Sequence, residues 1–300
     1  MPYRVAANAD GSFTADVQCA GAIPREATSY ATCYVELPSD ALYHVTSYTT
    51  LYGHALVHHS VVYACGRGRA EQQVEALIAA AGPGPHNNRE HDQICEAFFM
   101  VGQVLARRTF KFPEDAGLPF GKGSYRYVAV EVHYNNPACY TSAVDRGTGL
   151  RVTFEKKRRP HDVGVLTLSQ FALDLPPGRE DVAAAPGVCH RECTRRFPQD
   201  VTVIGQFVHM HSFGKRMETR WVRRDEGRGV YVELPPMLTV RGYDYGFQAW
   251  LDAPNGSTTL KRGDELSLTC VFDTRLRRAA TRWGFSVKDE MCFWWCALPG

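Results

Sequence analysis

The chain of 300 residues contains no run near the ~18 uninterrupted apolar residues of a membrane-spanning helix. It also lacks an excess of either charge. Its 34 basic and 32 acidic residues leave +2, too even a balance for holding a phosphate backbone by bulk charge. Short basic runs such as Lys156–Arg159 read as solvated turns, and nucleic acid is not an expected partner. No tandem repeat or low-complexity block appears, which excludes solenoids and disordered arrays. The opening Met-Pro-Tyr-Arg-Val lacks the basic-then-apolar pattern of a secretory leader. Helical periodicity is scarce as well. It is confined to Glu71–Ala81, where Val74, Leu77 and Ile78 recur at i, i+3 and i+4, with a second candidate at Asp92–Val104.

What is present is ordinary for a folded chain, with 44% apolar and 22% charged residues. Its length suggests two domains. Strand-like runs dominate: Val45–Tyr52, Ala55–Ala64, Tyr125–Tyr134, Leu150–Phe154, Val163–Leu173, Val201–Met210, Glu218–Arg223 and Leu266–Phe272. They are rich in Val, Thr, Tyr and Phe and are bounded by turn residues, so they read as antiparallel sandwiches. The charged stretch Glu155–Asp162, which contains Pro160, halves the chain. The expected domains are residues 1–157 and 158–300.

Ten cysteines, an even and high number, suggest disulfides and an oxidising compartment. With no leader in the chain as given, the expectation is that a leader lies outside it and that the protein resides in the secretory lumen or outside the cell. Asn255-Gly256-Ser257 is both a glycosylation sequon and a turn dipeptide, with the turn as the safer reading.

Of the eleven histidines, five form small clusters. His209 and His211 flank Met210; residues two apart on a strand share a face, so their imidazoles form a two-point metal grip. His58 and His59 are adjacent. Neighbours on a strand point to opposite faces, so joint ligation requires a bulge or bend there. His133 shares a face with Glu131. Taken singly, each cluster is as well explained by surface or hydrogen-bonded core histidines.

Together the motifs carry more. The order ALVHH (Ala55–His59), VEVHYNNP (Val130–Pro137), HMH (His209–His211) and DEMC (Asp289–Cys292), with Cys33-Tyr34-Val35, FPEDAGLPFG (Phe112–Gly121), Leu175–Gly178 and Gly263-Asp264, resembles the copper type II, ascorbate-dependent monooxygenases. These are the dopamine β-monooxygenase and peptidylglycine α-hydroxylating monooxygenase family, and the likeness is closer to the dopamine branch. It implies an all-β fold: two antiparallel, jelly-roll-like β-sandwich domains with one copper each and a cleft between them. It also implies that His58, His59 and His133 bind an electron-transfer copper. His209, His211 and Met291 would bind the catalytic copper that meets oxygen. Imidazole suits both copper oxidation states, and a thioether favours Cu(I).

The implied activity is hydroxylation of an unactivated, benzylic C–H bond with O2 as co-substrate and ascorbate as electron donor. The implied bridges are Cys65 with Cys95 and Cys270 with Cys292. Cys189 and Cys193 match a pair whose partners lie downstream, where only Cys296 remains; Cys19 and Cys139 are alternative partners for Cys33. A zinc site at Cys189, His190 and Cys193 lacks an obvious fourth ligand. Two departures from the family, Ser60 and Met210, adjoin ligands without being ligands.

In the peptidylglycine branch an arginine two residues before the H-x-H motif and a tyrosine four residues after the methionine bind the substrate. The corresponding positions here are Phe207 and Trp295, with Phe293 in place of an asparagine. An aromatic small-molecule amine is therefore the expected substrate, unless Arg216 or Arg220 supplies a cation. The alternatives are a copper-binding member without turnover, a peptidylglycine-type hydroxylase, and a disulfide-stapled sandwich with incidental histidines.

Overall fold

The computed structural model describes residues 5–87, 94–103, 109–246, 248, 250–253, 258–286 and 288–300. The chain forms two compact units, Met1–Val163 and Gly164–Gly300. Both are built almost entirely of antiparallel strands. No helix among the described residues is long and apolar enough to cross a membrane. Asn255 lies outside the described residues.

In the first unit, one sheet runs Thr28–Glu36, Tyr127–Asn135, Val57–Cys65, Cys95–Gln103. The other contains Val5–Ala7, Phe13–Ala22, Val144–Glu155, Leu42–Leu51 and Ala116–Gly121. Ala15, Val17, Val45, Leu118, Val152 and Phe154 of the second sheet meet Ala64 and Val128 of the first across an apolar interior. The Cys19–Cys33 disulfide joins the two sheets through adjacent β-strands. Sheet-on-sheet burial of this kind gives each inner strand its alternating pattern.

The strand Tyr127–Asn135 is buried on both faces along residues 127–134. Its outer face is covered at one end by the helix Arg69–Ala81, whose Val74, Leu77 and Ile78 pack with Tyr127 and Ala129. The i, i+3, i+4 spacing thus supplies the face that this helix buries.

Of the expected helix at Asp92–Val104, residues 92, 93 and 104 lie outside the described residues, and Cys95–Gln103 is instead a strand paired with Val57–Cys65. Its first register pair is Cys65 with Cys95, which are also disulfide-bonded. A tethered open strand edge offers a full ladder of hydrogen bonds, and that tertiary pairing outweighs a weak helical spacing.

The second unit has a sheet of Val182–Ala183, Glu265–Phe272, Gly214–Asp225 and Val230–Glu233. Phe293–Pro299 pairs with Gly205–His209, which pairs in turn with Leu251–Asp252. Val208, Met210, Trp294 and Leu298 pack against Met217, Trp221, Leu266, Leu268 and Phe272 in one core. A disulfide between Cys270 and Cys292 crosses this core. Cys189 is bonded to Cys193 rather than to a downstream cysteine. The short helix Arg191–Thr194 turns the chain back so that their Cα atoms lie 5.8 Å apart, a normal disulfide span. That bond also removes the thiolates a zinc site would need.

Candidate metal centres

The strands Val57–Cys65 and Tyr127–Asn135 pair in antiparallel register, with Val57 opposite Tyr134 and His59 opposite His133. Between those two pairs the register shifts by one residue. His58 is the extra residue, so His58 and His59 together oppose His133. This is the bulge that two adjacent ligands require, because it turns a second side chain toward the face of the first.

Ring centroids of His58 and His59 lie 5.2 and 4.8 Å from that of His133. One ligand atom from each of the three histidines falls within 4.8 Å of the others. The Nδ1 atoms of His58 and His59 are 3.0 Å apart. Two nitrogens bound about 2.0–2.1 Å from one zinc-like ion are themselves about 3 Å apart, so the spacing fits a shared metal. Tyr30, opposite His133 in the neighbouring strand, stacks on its ring at 4.5 Å and 8°. Glu131, 2% exposed, lies on the same face and accepts a 3.3 Å hydrogen bond from the Tyr63 hydroxyl.

In the second unit, His209 ends the strand Gly205–His209 opposite Phe293, and the chain then turns. The turn is tight at Gly214, where a Cβ would stand 2.6 Å from that of Met210. The His209 and His211 rings are 5.3 Å apart. His209 Nδ1 donates to Gln248 Oε1 at 2.7 Å, while the Gln248 amide nitrogen donates to the Tyr245 carbonyl at 3.0 Å. That second bond orients the amide, so the oxygen must face the histidine. His211 Nδ1 donates to the Asp289 carbonyl at 3.0 Å. Bonds at Nδ1 fix both tautomers and leave Nε2 as the nitrogen able to ligate a metal. Burial holds the His211 imidazole below its ordinary range, which favours the neutral form that ligation requires.

Met291 is 6% exposed and follows Glu290, whose carboxylate is buried. Burial pushes that carboxyl up to about 7, against the backbone N–H groups of Phe213, His211 and Met291 that hold it down. Phe207 and His209 alternate onto one face of their strand, as Phe293 and Trp295 do on the partner strand. Phe293 stacks on Trp295 at 5.1 Å and 4°, and Trp295 lies 5.6 Å from Phe207 and 6.3 Å from His209. Phe171 extends this aromatic surface from Phe293 to Trp283. Arg216 and Arg220, the candidate cations, are surface residues paired with Asp181 and with Glu218 and Glu233.

Sequence reasoning alone missed Tyr30, Gln248, Phe171 and the carboxylate contacts of Glu290. Glu290 was visible only as a letter of the DEMC motif. Gln248 stands 39 residues from its histidine with no local pattern to mark it.

Comparison with known proteins agrees with this arrangement. The N-terminal domain of the copper type II ascorbate-dependent monooxygenases matches residues 15–141, and the C-terminal domain of the same family matches residues 161–297. MOXD1 homolog 1 of Drosophila melanogaster is 30% identical over 251 residues, covering 79% of this chain and 34% of that protein. Tyramine beta-hydroxylase of Caenorhabditis briggsae is 28% identical over 241 residues (79% and 38%). Dopamine beta-hydroxylase of Homo sapiens is 29% identical over 242 residues (79% and 37%). The chain thus spans about a third of the length of these relatives. Histidine geometry and both domain matches lead to one assignment: the chain belongs to the copper type II, ascorbate-dependent monooxygenase family.

Proposed function

We propose that this chain is a monooxygenase that hydroxylates the benzylic carbon of an aromatic amine, with ascorbate supplying two electrons. One atom of O2 enters the product and the other leaves as water. His58, His59 and His133 would hold one copper; His209, His211 and Met291 would hold the other. When bound, copper supplies the one-electron redox chemistry with dioxygen that no amino-acid side chain here provides. Two imidazoles and a soft thioether suit the reduced ion, whereas three imidazoles suit storage of a single electron.

The observation that carries the substrate reading is the aromatic face beside His209. Phe207, Phe293 and Trp295 line it, and Trp295 is 6.3 Å from the His209 ring. A carboxylate placed against these rings would lose its hydration without gaining a paired cation. The two arginines considered for that role are already engaged with surface acids. A flat apolar ring instead stacks there favourably. Relatives named for dopamine and tyramine fit the same substrate class. Four disulfides fit an oxidising, secretory or extracellular setting.

The test is to load the protein with copper, count the metal by mass spectrometry, and follow oxygen uptake with ascorbate. Phenylethylamines and a glycine-extended peptide are compared side by side. Two coppers per chain and faster hydroxylation of the amine are the expected results. Faster turnover of the peptide would overturn the substrate reading, and copper binding without any oxygen uptake would overturn the activity.

A further inference from the structure

We propose that Glu290 is the positioning residue of the second centre, fastening the backbone of the His209–His211 segment and of Met291 to a single carboxylate so that the three ligands are assembled before metal arrives. The inference rests on the ligand set proposed above.

Glu290 has 0% exposure. Its Oε2 accepts the His211 N–H at 2.8 Å and the Met291 N–H at 3.2 Å, and its Oε1 accepts the Phe213 N–H at 2.7 Å. His211 and Glu290 are 79 residues apart in sequence. The side chain therefore joins two distant segments, each of which carries ligands. The need for it is local. The strand ladder ends at His209, so the amides at 211 and 213 fall beyond the last strand pair and need another acceptor.

Glu290 is itself held from its other side. Its N–H donates to the Arg282 carbonyl at 2.9 Å, and its carbonyl accepts the Gly284 N–H at 3.3 Å. Two residues further on, the Cys270–Cys292 disulfide fixes the chain. A clamp that is rigid on one side can set the position of what it grips on the other.

The residue type matters as much as its place. The two oxygens of the Glu290 carboxyl group take up three backbone N–H groups, so each must serve as an acceptor. A glutamine would point an NH2 group at one of the three N–H donors. One side chain thus aligns the backbone of both ligand-bearing segments.

The test uses the full chain and its Glu290→Gln variant, in apo and copper-loaded forms. In the apo variant, hydrogen exchange at the amides of His211, Phe213 and Met291 should accelerate at least tenfold, with Val208 and Trp294 unchanged. In the loaded variant, Cu(I) affinity at the second centre should fall roughly 10–100-fold. Sulfur scattering from Met291 in X-ray absorption should disappear, while the centre at His58, His59 and His133 keeps its copper. A variant that retains both sulfur scattering and affinity overturns the role given to Glu290. Should the variant fail to fold, the wild-type apo protein decides: slow exchange at the three amides supports preassembly, and fast exchange overturns it. A wild type that binds copper without sulfur scattering breaks the ligand set itself, a result distinct from failure of the clamp.

Discussion

The two units bring imidazoles together by opposite means. In the first, a one-residue register shift at His58 sets two neighbouring side chains against His133, and Tyr30 stacks on the cluster. In the second, the histidines sit where a strand stops, and polar groups from elsewhere hold them: Gln248 on His209 and the Asp289 carbonyl on His211. A centre built within paired strands is tied to the sheet and resists movement. A centre built at strand ends depends on its hydrogen-bonding partners. The same residue type is thus gathered by the sheet in one unit and by side-chain and carbonyl partners in the other.

This contrast can be broken experimentally. The largest effect is expected at Met291. Met291→Leu keeps the volume, so it should cost less than about 1.5 kcal/mol of stability. Removal of the sulfur ligand should lower amine hydroxylation at least about 100-fold, by analogy with the 10–100-fold losses seen when even outer partners of a metal are removed. Oxygen uptake and thermal melting check the two halves. Equal losses of activity and stability would mean that Met291 is only a core residue.

Gln248→Leu should come next. It removes the acceptor that fixes the His209 tautomer and should weaken copper at the second centre roughly 10–100-fold. Competition titration would show the first centre unchanged, because Gln248 belongs to the second unit. A smaller effect is expected from Tyr30→Leu, which removes a ring stack worth about 0.5–1.5 kcal/mol. It should loosen copper at the first centre by up to about tenfold and leave the second untouched. Reversal of these two selectivities would erase the distinction between the units.

The smallest effect concerns pH. Burial holds the His44 imidazole below its ordinary 6.5; Asp162 pulls it up, whereas Arg158 and Arg159 push it down. The ring accepts the Arg159 backbone N–H at 3.1 Å on Nδ1 and meets Asp162 at 2.9 Å through Nε2. Its packing against Gly117 leaves no space for a Cβ there. The unfolded chain takes up this proton more readily than the folded one. The stability contribution is therefore complete above about pH 6.5 and is lost as pH falls below it. Melting temperatures at about pH 7.5 and about pH 5.5 should differ less in His44→Gln than in the unaltered chain. A larger difference in the variant would reverse the sign argued here.

Much of the fold was legible because strand-forming residues and turn residues alternate at short range, and the helix at Glu71–Ala81 announced itself through Val74, Leu77 and Ile78. The need for a bulge at His58 followed from strand geometry alone. Long-range partners left no such trace. Nothing near Gln248 indicates that its amide reaches His209, and nothing in Cys95–Gln103 reveals the strand edge that captures it. The pairing of Cys189 and Cys193 is open in the sequence, and a four-residue helix folds them onto each other. Local pattern identifies which residues have the chemistry, whereas tertiary register decides which of them meet.

The two cysteines outside the disulfides differ as sharply as the two centres. Cys296 is buried at 0% exposure with its thiol pushed far up by desolvation, while Cys139 is exposed. Only the thiolate of an accessible cysteine reacts readily, so the buried Cys296 behaves as a small hydrocarbon. Cys139 becomes a single natural handle. A maleimide should attach once per native chain and twice after denaturation, offering a place for a fluorophore without any engineered cysteine.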